Sequence, residues 1–65
     1  MDFVNDLLTF RAKYDLTQKQ CAEILGTGAI SISLYETRKN KPTQRNMIKF
    51  KTNMEKYEKE HENNV

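Results

Sequence analysis

Apolar residues recur at helical intervals along this chain. Phe3, Leu7, Phe10 and Tyr14 follow one another at steps of four, three and four, which makes one stripe of a helix over about residues 2–14. Asp2 and Asp6 lie toward its start and Arg11 and Lys13 toward its end, the distribution the helix dipole favours. A second apolar face, Cys21, Ala22, Ile24 and Leu25, begins after Thr17 and stops at Gly26. Thr17 is a good N-cap, and Gln20 at the third helical position can reach back to the cap amide to close a capping box, with Leu16 before it as a hydrophobic staple. Small Ala22 suits a point where two helices cross closely. After the hinge Thr27-Gly28, a third segment runs from Ala29 to about Thr37. It turns Ile32 and Tyr35 inward, and Glu36 partly so. Ala29, Ile30, Ser31, Ser33 and Leu34 are left at its leading and outward positions.

Pro42 ends the following loop, and Thr43 can cap a last helix over about residues 43–61, a stretch with no Gly or Pro. Met47, Phe50, Met54, Tyr57 and His61 fall there at steps of three, four, three and four, the spacing of a coiled-coil seam. The stripe runs past the length needed to cover a three-helix core, so these five residues are expected to form a dimer interface. Residues 63–65 are expected to fray. The pattern predicts an all-α, compact four-helix domain over residues 1–65, with no strand and an extended C-terminal helix.

Composition narrows the classes. The chain has 65 residues, 37% hydrophobic and 31% charged, with two glycines and one proline, a soluble and helix-favouring mixture for one small domain. A core of that size is marginal, so tight packing or dimerisation is expected to support it. No apolar run approaches bilayer length and no signal-peptide pattern opens the chain, so no membrane partner is expected. Cys21 is the single cysteine and lies within an amphipathic pattern, which reads as a buried thiol in a cytoplasmic protein.

The net charge of +2 is unevenly spread. Residues 26–51 hold six cations (Arg38, Lys39, Lys41, Arg45, Lys49, Lys51) against one acid, Glu36, a balance of +5. Residues 1–25 hold three against four, and residues 52–65 two against four. Positive charge is therefore concentrated where a polyanion would dock. No catalytic, cofactor or metal site is expected. His61 stands alone in a charged segment, Cys21 has no histidine near it in the pattern, and the glycines of Gly26-Thr27-Gly28 are accounted for by a turn.

Two short helices joined by a tight Gly-containing turn, residues 17–37, make a helix-turn-helix, whose second helix can enter the DNA major groove. The order Leu16-Thr17-Gln18, Ala22, Gly26, Ile32-Ser33, Tyr35-Glu36 and Lys41-Pro42, met without a gap, resembles the DNA-binding domain of the lambda-repressor-like family, the Cro/CI or XRE type of bacterial and phage regulators. The likeness covers roughly residues 7–50, reaching back to Arg11. It implies a sequence-specific regulator, a repressor or Cro-like protein, that binds double-stranded DNA operator half-sites as a homodimer.

Residue by residue, the resemblance implies that Thr17 and Gln18 open helix 2 against a phosphate, with the free amide of Gln18 donating. Thr27 and Gly28 lead into the groove, and Ala29, Ile30, Ser33 and Leu34 read bases while Ser31 touches the backbone. Arg38, Lys39, Asn40 and Lys41 grip flanking phosphates, and Arg11 with Glu36 forms a structural pair. This chain departs from the family in several places. Base-reading positions usually carry long polar side chains, whereas three of the four here are apolar, which suits thymine methyls better than guanine. Gly28 stands where Ser or Thr usually caps helix 3, and Thr37-Arg38 replaces Asn-Gly, so that Asn40 is expected to take a left-handed conformation at the helix exit. The exposed Ile30 and Leu34 leave a second reading open, a helix-turn-helix scaffold used to bind a partner protein, such as an antirepressor or phage inhibitor.

Overall fold

A computed structural model describes residues 2–62; the fraying expected at residues 63–65 lies outside them. Four helices follow in order, α1 (Phe3–Lys13), α2 (Gln18–Leu25), α3 (Ala29–Glu36) and α4 (Gln44–Glu62), with no strand among the described residues.

Each boundary has a local cause. Asp2 is the cap of α1 rather than its first residue: its Oδ1 accepts the Val4 N–H at 3.0 Å. At the other end Asp15 adopts φ 52°, and the Leu16 N–H returns to the Arg11 carbonyl at 2.9 Å. Both halves of the capping box form at the start of α2: Thr17 Oγ1 accepts from the Gln20 N–H at 3.0 Å, and Gln20 Oε1 accepts from the Thr17 N–H at 2.9 Å. The helix ends at Gly26, left-handed with φ 83°, whose N–H closes on the Ala22 carbonyl. Gly28 occupies the N-cap of α3 in an extended conformation and has no side chain to offer the helix.

The exit of α3 differs from the expectation. Arg38, not Asn40, takes the left-handed conformation, with φ 61°. The reversal directly after Thr37 lets the N–H groups of Lys39 and Asn40 both reach the Leu34 carbonyl, at 3.0 and 3.2 Å, and so satisfies a helix-terminal acceptor. Asn40 uses its side chain instead, Oδ1 accepting the Lys41 N–H at 2.9 Å. Beyond Pro42, which is buried, Thr43 Oγ1 accepts the Asn46 N–H at 3.2 Å and starts α4.

All four helices contribute to one core: Phe3, Leu7 and Phe10 from α1, Cys21, Ala22 and Leu25 from α2, Ile32 and Tyr35 from α3, Phe50 and Met54 from α4. Phe3 meets the rings of Tyr35 and Phe50 at 6.1 and 6.0 Å. The domain's net stability is expected to be roughly 3–10 kcal/mol at this length, while fully burying one Leu or Ile contributes about 1.5–3 kcal/mol. One core side chain thus carries a large share.

The α4 stripe is corrected here. Phe50 and Met54 are buried in the chain's own core, and Met47 and Tyr57 pack against it. Tyr57 stands edge-on to Phe10 and Tyr14 at 5.5 and 5.0 Å, and His61 stacks on Tyr57 at 3.8 Å. The physical reason is the length of α1, whose last turn lies along the second half of α4 and offers it an apolar and aromatic partner; Lys13 Nζ also meets Glu58 at 3.1 Å. A core stripe and a dimer seam share one periodicity; here Phe50 and Met54 face inward, Met47 and Tyr57 are half-buried, and His61 is exposed.

Candidate functional site

α3 is held from behind by a polar cluster. Arg11 Nη1 donates to both carboxylate oxygens of Glu36 at 2.6 Å, while its Nε donates to the Leu16 carbonyl at 3.0 Å. Gln18 Nε2 donates to Glu36 Oε1 at 2.9 Å. One carboxylate thereby ties the last turn of α1, the first residue of α2 and the last residue of α3. The side chains are 27% and 9% exposed for Arg11 and Glu36, so this pair is screened far less than a surface one. The Gln18 amide is thus positioned by Glu36 through one of its two N–H donors. A second device fixes the α2–α3 turn. Asn53 Nδ2 donates to the Leu25 carbonyl at 2.9 Å and Lys49 Nζ to the Gly26 carbonyl at 3.3 Å, so α4 caps the end of α2. Neither Gln18–Glu36 nor Lys49–Gly26 was foreseen, because nothing periodic links residues so far apart in sequence.

The outward side of α3 is less uniform than its sequence suggests. Ile30 is 79% exposed. Ala29 is half-buried against the core, and Ser31, Ser33 and Leu34 are half-buried as well. Ala29 therefore has a packing role, and Leu34 also supplies the carbonyl that closes the exit turn. The hydroxyls of Ser31 and Ser33 make no hydrogen bond among the described residues. Thr17 and Gly28 are exposed and Thr27 half-buried on the same end of the helix pair.

Arg38, Lys39, Asn40 and Lys41 are all exposed at the far end of α3. Arg38 is already engaged: its Nη2 donates to Asp2 Oδ2 at 2.6 Å. That bond, with the Val4 N–H second, holds the Asp2 carboxyl below its ordinary value of 3.8 and raises the Arg38 guanidinium in turn. Lys39 and Lys41 make no ion pair among the described residues.

Elsewhere the chemistry is quiet. Cys21 is fully buried, and burial pushes its thiol up to about 11, which disfavours the nucleophilic thiolate. Among the described residues no group of three or more His, Cys, Asp or Glu side chains is placed to hold a metal ion, and no helix is long and apolar enough to cross a membrane. Comparison with protein-family models, with curated proteins and with solved structures finds no match for this chain.

Proposed function

We propose that this chain is a sequence-specific double-stranded DNA-binding regulator of the lambda-repressor-like helix-turn-helix type. The supporting observation is the contrast between the braced back of α3 and its uncommitted front. Two free hydroxyls and a projecting Ile30 occupy one side of a helix whose exit carries the unpaired cations Lys39 and Lys41. A helix with its side chains is about 10–12 Å across, which fits the roughly 12 Å width of the major groove. With α3 in the groove, those lysines reach the bordering phosphates. Ile30 is assigned to a thymine 5-methyl group, the apolar feature of that groove.

The test is a salt titration of binding to mixed-sequence duplex. Clear affinity at low salt is expected, with the salt slope smaller by about two in a Lys39→Gln, Lys41→Gln double variant. Absence of binding at low salt would sink the reading. Two copies on half-sites about 34 Å apart are part of the proposal, held together by the DNA and not by the α4 stripe. Selection from a random pool should return a two-fold repeat, and a single unrepeated site would remove the dimer. The second reading, a scaffold that binds a partner protein, draws on the same Ile30: so large an exposed apolar side chain suits either surface.

A further inference from the structure

A surface pocket lies between the start of α1 and the loop after α3, lined among others by Asp2, Phe3, Arg38, Asn40, Lys41 and Met47. Its cationic wall is Arg38 and Lys41. Asn40 adds a donor, since its Oδ1 is taken by the Lys41 N–H and its NH2 has no acceptor among the described residues. Two cations and an amide on an apolar floor would ordinarily suit an anion with several acceptor oxygens. Here the anion is supplied by the chain. Asp2 turns one carboxylate oxygen to the Val4 N–H and the other to Arg38.

We propose that this pocket is a seat for a phosphate group and that Asp2 is its built-in competitor. A tetrahedral phosphate presents the same acceptor to Arg38 as the carboxylate does, with further oxygens for Asn40 and Lys41. The pair is exposed, at 58% for Arg38 and 37% for Asp2, so exchange needs no unfolding. As long as Asp2 holds Arg38, the loop engages DNA with its lysines alone; Arg38 joins when a backbone phosphate displaces the carboxylate. The identity of the phosphate as part of DNA rests on the function proposed above, but the existence of the seat does not.

Asp2→Asn is a clean variant because asparagine caps a helix about as well as aspartate. Duplex binding and thermal stability in inorganic phosphate are measured for wild type, Asp2→Asn, Arg38→Gln and the double variant. Asp6→Asn serves as a control of equal charge change. Asp2→Asn is expected to bind duplex about three- to tenfold more tightly and to steepen the salt slope by up to about one, as one further phosphate contact requires. In the Arg38→Gln background the same change should do nothing. Inorganic phosphate should raise the melting temperature of Asp2→Asn more than that of wild type. If Asp6→Asn tightens binding as much as Asp2→Asn, general electrostatics accounts for the gain and the seat is wrong. Wild type binding DNA with no response to Asp2→Asn overturns the seat and leaves the DNA reading standing. Phosphate stabilising Asp2→Asn without any duplex binding supports the seat and overturns DNA as its source. No response to either ligand overturns both.

Discussion

The two sides of α3 obey different rules. On the inner side Ile32 is fully buried, Tyr35 nearly so, and Glu36 is held by Arg11 and Gln18. On the outer side, within the same eight residues, Ile30 stands in solvent and the hydroxyls of Ser31 and Ser33 make no hydrogen bond among the described residues. Packing determines which residues the first side can carry. It places no such demand on the second, where Ile30 is free to serve the binding role proposed above. The contrast also separates what a substitution should do: inner changes should act on stability and outer changes on binding.

The strongest challenge to that division is a matched pair of isoleucines. Ile32→Ala is expected to cost about 3 kcal/mol, a large part of the roughly 3–10 kcal/mol available. Ile30→Ala should stay within about 0.5 kcal/mol and instead lose the preference for thymine over deoxyuridine in a selected duplex. Urea unfolding followed by circular dichroism measures the first quantity and anisotropy titration the second. Comparable losses of stability would show that the outer side is structural after all.

Next in size is the cluster behind α3. Glu36→Ala removes the acceptor of Arg11 and Gln18 together and should cost about 2 kcal/mol, in the range of hydrogen bonds to charged groups. An Arg11→Met, Glu36→Leu double variant should recover much of this, because breaking a desolvated pair costs more than replacing it. The Asp2–Arg38 pair is the solvent-exposed counterpart, and Arg38→Gln should leave the urea midpoint unchanged. Its trace is in pH instead. A folded-state value below 3.8 means that Asp2 stabilises the fold fully above 3.8, and that this contribution fades as pH falls through the lower, folded value. Arg38→Gln should move the Asp2 titration upward, as read from carboxyl chemical shifts by NMR; an unmoved titration would show that Arg38 is not the cause.

The same inner and outer distinction explains how much could be read from sequence. Phe3, Leu7 and Phe10, the Thr17–Gln20 capping box, Ile32 and Tyr35 were legible because periodicity and capping are local signals. The α4 stripe was visible, but its destination was not, since a period of three and four serves a core and a seam alike. Asp2 with Arg38, Gln18 with Glu36 and Lys49 with Gly26 depend on the chain folding back across many residues. The position of the left-handed residue was misplaced for a related reason. Residue preference favours Asn40, but hydrogen-bond closure onto Leu34 demands a reversal at Arg38. On the outer face of α3, solvent exposure could be anticipated for Ile30, whereas the half-burial of Ala29 and Leu34 depends on how α3 rolls against its neighbours.

The two glycines of the α2–α3 turn lead to the two sides, and the smallest effect on stability through a side chain gained is expected at the second of them, Gly28. Gly26 has φ 83°, and a Cβ there would approach Lys49 Cε at 3.3 Å, so Gly26→Ala should cost about 1–2 kcal/mol through the left-handed backbone. Gly28 is extended, and a Cβ would meet nothing within 4 Å. A side chain at Gly28 can therefore cap the free N–H groups of α3, and Gly28→Ser and Gly28→Asp should each stabilise by a few tenths of a kcal/mol. The aspartate should gain slightly more from the helix dipole. On duplex DNA the two must part: serine leaves binding nearly intact, whereas aspartate puts a negative charge at the leading end of α3 and weakens binding several-fold as it stabilises the fold. Opposite signs for stability and affinity from one substitution require a residue that belongs to the outer side. If Gly28→Asp and Gly28→Ser bind duplex equally well, the leading end of α3 does not approach a phosphate, and the orientation proposed for the helix is wrong.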